Sequence, residues 1–241
     1  MEHATEVDSA AREAIGAALR AIETRIDRAC ARAERPREQV RLLPVTKTVD
    51  LARVAVVLEA GYRAVAENRV QEAAPKREAL ESFGAEWHMI GRLQRNKIRQ
   101  ALAFADCIQS VDRPALADAL ADRLAEGGER RQVFIQVNTS GAEGQSGVEP
   151  DAALALARRI AARPELELTG LMTIGRLAEA PEAVRGDFVR LRELRDRLEQ
   201  ELGQRLSELS MGMSGDLEAA VEEGATLVRI GSGIFGARPR P

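Results

Sequence analysis

Three groups of residues in this chain have types and spacings that could do chemistry: a lysine ending a short apolar run, an arginine inside another such run, and two glycine-rich segments near the C-terminal end. The lysine closes Arg41-Leu42-Leu43-Pro44-Val45-Thr46-Lys47. Only three of the 35 basic residues are lysines, so arginine stands almost wherever a positive charge occurs. A guanidinium stays protonated, whereas a partly buried amine can lose its proton and condense with a carbonyl to form a Schiff base. Lys76 and Lys97 lie in polar, helix-like segments and are read as solvated. The plainer reading of Lys47 is a strand-ending residue that snorkels to water, and position alone does not separate the two.

The first glycine-rich segment, Ser210-Met211-Gly212-Met213-Ser214-Gly215-Asp216, leads into a helical pattern, where free N–H groups and a hydroxyl make an anion seat. The second, Arg229-Ile230-Gly231-Ser232-Gly233-Ile234-Phe235-Gly236, has bare backbone that could approach a phosphate. Its glycines also spell a dinucleotide fingerprint. No long helix follows and no acidic ribose partner can appear before the chain ends, so that reading is set aside. The bland alternative for both segments is tight turns. By period-two alternation Leu227, Arg229 and Gly231 share one face, as do Leu43, Val45 and Lys47. If both faces point inward, two cations converge on one phosphate seat. A buried arginine then needs an acceptor: a core carboxylate, a carbonyl, or a ligand's ring nitrogen. Together these groups describe a pyridoxal phosphate pocket, although a Schiff-base aldolase would share the lysine and the phosphate seat.

The elements that must position these groups follow from periodicity. Ile15, Leu19, Ile22, Ile26 and Cys30 recur at helical spacing ahead of Pro36. Eight apolar strand-like runs follow, at 41–47, 63–67, 86–91, 107–111, 131–138, 166–174, 206–211 and 226–231. Between them lie helical patterns at 51–59, 70–80, 94–104, 114–126, 151–162, 181–202 and 214–223. Seven interleaved helices and a leading one that covers the remaining gap predict a closed (β/α)8 TIM barrel, with an open doubly wound sheet as the alternative. We expect a polar tail over 1–10 and a single domain over 11–241. In such a barrel chemistry gathers at the carboxyl ends of the strands, where Lys47, Asn68, Asn138 and Thr173 would lie, and phosphate is held after the last two strands.

Bulk properties narrow the function. A net charge of -3 over 241 residues provides no global field for nucleic acid or an anionic membrane. Cys30 and Cys107 have no metal-ligand spacing and read as small core residues in a reducing compartment. No leader pattern or membrane-length apolar run is found, so a cytoplasmic protein is expected.

Several segments carry a family resemblance: Pro44-Val45-Thr46-Lys47-Thr48, Glu67-Asn68-Arg69-Val70-Gln71-Glu72, residues 87–97 from Trp87 to Lys97, Gly170-Leu171-Met172, and the two glycine-rich segments. In family order over nearly the whole chain, they resemble the pyridoxal phosphate homeostasis proteins, whose fold is similar to the barrel domain of alanine racemase. The resemblance implies that Lys47 carries pyridoxal 5'-phosphate (PLP) as a Schiff base. It implies that Ser214, Gly215, Gly231 and Ser232 hold the phosphate, that Asn68 lies beside the ring, and that Arg229 faces the pyridine nitrogen. A cation there disfavours ring protonation and weakens the electron sink. The chain departs from the family at Val65-Ala66-Glu67-Asn68-Arg69, where Phe-Gly-Glu-Asn-Tyr is usual, and at Gln145, where a lysine is usual.

Racemisation needs an acid or base on each face of the substrate carbon, and alanine racemase takes its second group, a tyrosine, from another domain. Here the single tyrosine, Tyr62, precedes the second strand and so belongs to the opposite end of the barrel, while His88 reads as a core histidine. The expectation is therefore a non-catalytic PLP-binding protein serving PLP (vitamin B6) and amino-acid homeostasis. PLP-dependent apo-enzymes would be its recipients, and a monomer is expected. A PLP-dependent amino-acid racemase or a Schiff-base aldolase is the enzymatic alternative.

Overall fold

The computed structural model describes residues 7–176 and 182–236. Helix α1 (Ser9–Arg32) opens where the Asp8 carboxylate accepts the Ala10 N–H at 3.1 Å, satisfying one donor that a helix start leaves free. It therefore begins inside the stretch expected to be a tail, whose residues 1–6 lie outside the described residues. Its buried stripe of Ile15, Leu19, Ile22, Ile26 and Cys30 is the one the spacing predicts.

Eight parallel strands follow: β1 (Arg41–Pro44), β2 (Ala64–Glu67), β3 (Glu86–Met89), β4 (Cys107–Val111), β5 (Arg131–Gln136), β6 (Leu166–Met172), β7 (Glu208–Ser210) and β8 (Leu227–Ile230). The helices between them are α2 (Leu51–Glu59), α3 (Val70–Ala79), α4 (Ile98–Leu102), α5 (Pro114–Ala125), α6 (Ala153–Ala161), α7 (Glu182–Leu202) and α8 (Leu217–Glu222), and α9 (Ser232–Phe235) ends the described chain. The sheet runs β1-β8-β7-β6-β5-β4-β3-β2. It closes through a bridge between Val45 and Ala66, with the Thr46 N–H donating to the Ala66 carbonyl at 2.9 Å. This is the predicted barrel, and the stretch that closes it is the one that carries Lys47.

Two cores result. Leu43, Val45, Ala66, Phe134, Met172 and Leu227 fill the barrel interior, so the inward faces assigned to the first and last strands are the observed ones. A larger core lies between the sheet and the helices. Helix α1 packs against α8, α2 and α9 and so covers the seam that the four-residue α9 is too short to cover.

Element bounds differ from expectation mainly at the rim. Pairing in the first run stops at Pro44 with the bridge at Val45, and Lys47 lies in a turn. The helix expected over 94–104 divides into a 3-10 turn, Arg95–Lys97, and α4. The helix after the seventh strand begins at Leu217 rather than 214, leaving residues 211–216 as a loop. Pro181, the expected start of the seventh interleaved helix, lies outside the described residues.

Candidate functional site

At the carboxyl ends of the strands a cavity of about 440 Å³ opens, and Lys47, Asn68, Ser214, Gly215, Arg229, Gly231 and Ser232 all line it. The seven residues that the resemblance assigns to the cofactor thus meet at one place, whereas Asn138 and Thr173, also expected at this rim, do not line the cavity. One wall is apolar, made of Val45, Ile90, Met172 and Ile174, as a pocket for a flat ring requires. Ile174 is the exposed large hydrophobic residue of the described chain.

Lys47 is half-buried, one residue beyond the closing hydrogen bond. The next residue, Thr48, has a left-handed φ of 61°, which for a β-branched residue costs about 1–3 kcal/mol. Two bonds hold it: its N–H donates to Glu72 Oε2 at 2.9 Å, and its hydroxyl donates to the Lys47 carbonyl at 2.6 Å. The first of these bonds holds the Glu72 carboxyl below its ordinary value, helped by Arg69 and Lys76.

Lys76 corrects a sequence reading. It is buried rather than solvated, donating to Glu67 Oε1 at 2.7 Å and to the Thr46 carbonyl at 2.7 Å. Glu67 is fully buried, accepts the Thr46 hydroxyl at 2.8 Å, and keeps Oε2 without a hydrogen-bond partner among the described residues. Neighbouring Asn68 also has a buried Oδ1 without a partner among the described residues. Gly91 allows the tight packing behind Asn68, since a β-carbon there would fall 2.1 Å from the Asn68 carbonyl oxygen.

The two glycine-rich segments are neighbours, as expected: the Gly233 N–H donates to the Ser214 hydroxyl at 3.2 Å. Asp216 shapes the first by accepting the Met213 N–H at 2.6 Å. Burial raises the Asp216 carboxyl, while that bond and the charge of Arg229 oppose the rise. From outside the barrel, Arg25 of α1 donates to the Ser214 carbonyl at 3.0 Å and pairs with Glu218 at 2.6 Å. Gly231 lies so close to strand β1 that a β-carbon would stand 3.3 Å from the Val45 carbonyl oxygen, whereas Gly215 has open space where a β-carbon would go. Bare backbone beside open space suits a bulky anion.

Arg229 is 4% exposed and among the described residues bonds only to neutral acceptors, the Ser210 hydroxyl at 2.9 Å and the Thr173 carbonyl at 2.7 Å. Desolvation pushes its pKa down to about 10, partly offset by Asp216. The group is still charged at neutral pH. Behind it a polar chain crosses the barrel. The Ser210 hydroxyl donates to Gln109 Oε1 at 2.6 Å, and Gln109 Nε2 donates to His88 Nδ1 at 2.8 Å. With Nδ1 accepting, a neutral His88 carries its proton on Nε2, 3.2 Å from Glu86 Oε1. That contact is attractive though poorly aligned, and it holds the Glu86 carboxyl below its ordinary value. His88 is thus the core histidine expected.

Arg53 is a lining residue that sequence reading missed. Its guanidinium lies 5.8 Å from the Phe235 ring centroid and donates to the Phe235 carbonyl, and its Nε is buried without a partner among the described residues. The available signal was Asp50, whose carboxylate accepts the Arg53 N–H at 2.8 Å, since that cap sets the side chain at the rim-facing start of α2. Tyr62 stands at the opposite end of the barrel, as expected, donating to Glu23 of α1 at 2.8 Å. Gln145 donates to the Gly175 carbonyl at 2.6 Å and accepts the Ser140 hydroxyl, so where the family usually has a lysine this chain ties two loops together. Among the described residues no group of three or more His, Cys, Asp or Glu could hold a metal, and no helix is long and apolar enough to cross a membrane.

The family described as the alanine racemase N-terminal domain matches residues 18–239, and the chain belongs to it. An alanine racemase of Clostridium difficile superposes with a TM-score of 0.73 over 95% of this chain and 57% of its own, at 14% identity, a likeness of fold alone. Within that class the chain belongs to the pyridoxal phosphate homeostasis proteins. It is 44% identical to the one of Aquifex aeolicus over 89% of this chain and 94% of the relative. The human one is 38% identical over 93% of this chain and 86% of its own. PipY of Synechococcus elongatus, solved with PLP bound, superposes with a TM-score of 0.78 at 35% identity over 89% of this chain and all of that one.

Proposed function

We propose that this protein binds PLP, holds it as a Schiff base on Lys47, and serves intracellular PLP and amino-acid homeostasis by keeping and handing over the cofactor. The observation that carries this reading is the convergence of Lys47, Arg229 and both glycine-rich loops on one cavity. The names of the relatives and the PLP in PipY support it. Ser214, Gly215, Gly231 and Ser232 would hold the phosphate, Asn68 would lie beside the ring, and Arg229 would face the ring nitrogen. When bound, the cofactor supplies an aldehyde for the amine and an electron-withdrawing ring.

The chain's own residues favour retention over turnover. Arg229, cationic at neutral pH, disfavours a proton on the ring nitrogen facing it. Among the described lining residues there is no Tyr, His, Cys, Asp or Glu to act as a second acid or base opposite Lys47. PLP-dependent apo-enzymes are the recipients this reading implies.

Purified protein given PLP is expected to turn yellow and to lose that absorbance in Lys47→Ala, which should fold normally because the side chain is only half-buried. Amino acids in deuterium oxide are expected to keep their α-hydrogens. Exchange at an enzymatic rate would replace this reading with a racemase, and an unchanged spectrum in Lys47→Ala would remove Lys47 from it.

A further inference from the structure

Lys47 lies between two residues that are both gripped from the same helix. On one side, the Thr46 carbonyl points away from the sheet's ladder and accepts the Lys76 ammonium at 2.7 Å. On the other, the Thr48 N–H donates to Glu72 at 2.9 Å. Lys76 and Glu72 sit one turn apart on α3, the spacing at which side chains share a face. We propose that α3 is a positioning clamp for Lys47, in which the buried Lys76–Glu67 pair and the Glu72 carboxylate fix the backbone on either side of the reactive amine. This rests on the PLP reading above and assigns to three residues outside the ligand's reach the task of aiming the amine.

The arrangement does not resemble a device for stability. A buried ion pair is commonly replaceable by apolar residues without loss, because desolvation offsets attraction. This pair is incompletely satisfied as well, since Glu67 Oε2 has no partner among the described residues. What the pair provides is direction. Glu67 holds both the Lys76 ammonium and the Thr46 hydroxyl, so Thr46 is fixed through its side chain and its carbonyl while its N–H closes the barrel. Glu72 then holds Thr48 in a left-handed conformation that a threonine does not adopt unaided. Between these two fixed neighbours the Lys47 side chain lines the cavity. A nucleophile held in a productive position reacts faster than one that must find it.

The test uses the full chain with PLP, following the yellow absorbance for rate and Kd, and amide hydrogen exchange at residue 48 in the cofactor-free protein. Glu72→Leu removes the acceptor, whereas Glu72→Gln keeps a carbonyl oxygen for the same N–H. The expectation is about a tenfold weaker and slower uptake in Glu72→Leu, with faster exchange at residue 48 and recovery of both in Glu72→Gln. Lys76→Met should cost roughly 100-fold in uptake rate. Wild-type uptake in Glu72→Leu together with unchanged exchange at residue 48 would overturn the clamp. Should Lys76→Met fail to fold, the Glu72 pair decides alone. If the unaltered chain takes up no PLP, the cofactor reading falls while the exchange at residue 48 still reports on the clamp.

Discussion

The two rims of this barrel are built from the same eight strands and treat charge in opposite ways. At the amino-terminal rim three cations meet carboxylates: Arg41 pairs with Glu208 at 2.8 Å, Arg131 with Glu129 at 2.7 Å, and Arg77 with Asp106. At the carboxyl-terminal rim Arg229 bonds to a hydroxyl and a carbonyl instead, while Asn68 Oδ1 and Arg53 Nε, both on cavity-lining residues, are buried without partners among the described residues. These pairs neutralise charge within the first rim, although Arg131 Nε stays buried without a partner among the described residues. The second keeps donors and acceptors in reserve at an energetic cost, and such reserve is what a ligand uses. In a barrel the division follows the strand direction, because the loops at the carboxyl ends surround the mouth.

Substitutions should therefore separate binding from stability according to the rim they touch. The largest separation is expected at Gly215, where a side chain meets open space and the backbone does not require glycine. Gly215→Val should fill the anion seat and weaken PLP by roughly tenfold to a hundredfold, the worth of one or two charge-assisted hydrogen bonds. Its melting temperature should stay near that of the unaltered chain. Titration by absorbance and calorimetry on one preparation measure both, and a large fall in stability with unchanged affinity would erase the contrast between the rims.

At the other end Tyr62 carries a pH signature. Burial and the bond to Glu23 raise its phenol above the ordinary value of 10, so the folded chain holds this proton more tightly than the unfolded one. Its contribution is fully present below pH 10 and is lost as the pH climbs above that value. Tyr62→Phe should flatten the alkaline loss of stability seen in denaturant titrations and leave PLP affinity untouched. A change in affinity would mean that the two ends communicate. The smallest effect belongs to Arg41→Ala, because Arg41 is half exposed and such pairs contribute about 0–1 kcal/mol. A loss above 2 kcal/mol in urea melts would show that this rim stores more than surface attraction.

How much was legible depended on whether a neighbour in sequence was also a neighbour in space. The eight-fold alternation, the stripe of α1 and the inward faces of Leu43 and Leu227 follow from periodicity, and all are observed. The two glycine-rich loops were expected to be neighbours because barrel topology places consecutive strand ends side by side, and a hydrogen bond from Gly233 to Ser214 joins them. Lys76 was misread because nothing in its polar segment signals burial; the carboxylate that pairs with it lies nine residues back, on a strand. The route Arg229, Ser210, Gln109, His88 was equally hidden, for its members come from four strands and touch only inside the closed barrel.

Sequence by itself determined the order of strands and helices, the type of residue at each strand end, and the lysine that stands apart from thirty-odd arginines. These are local properties, written in side-chain period and chemical type. Only the tertiary structure decided which polar groups are sealed from water and which face the cavity. Burial and hydrogen-bond pairing depend on all elements packed around an atom at once, and no stretch of chain contains that information.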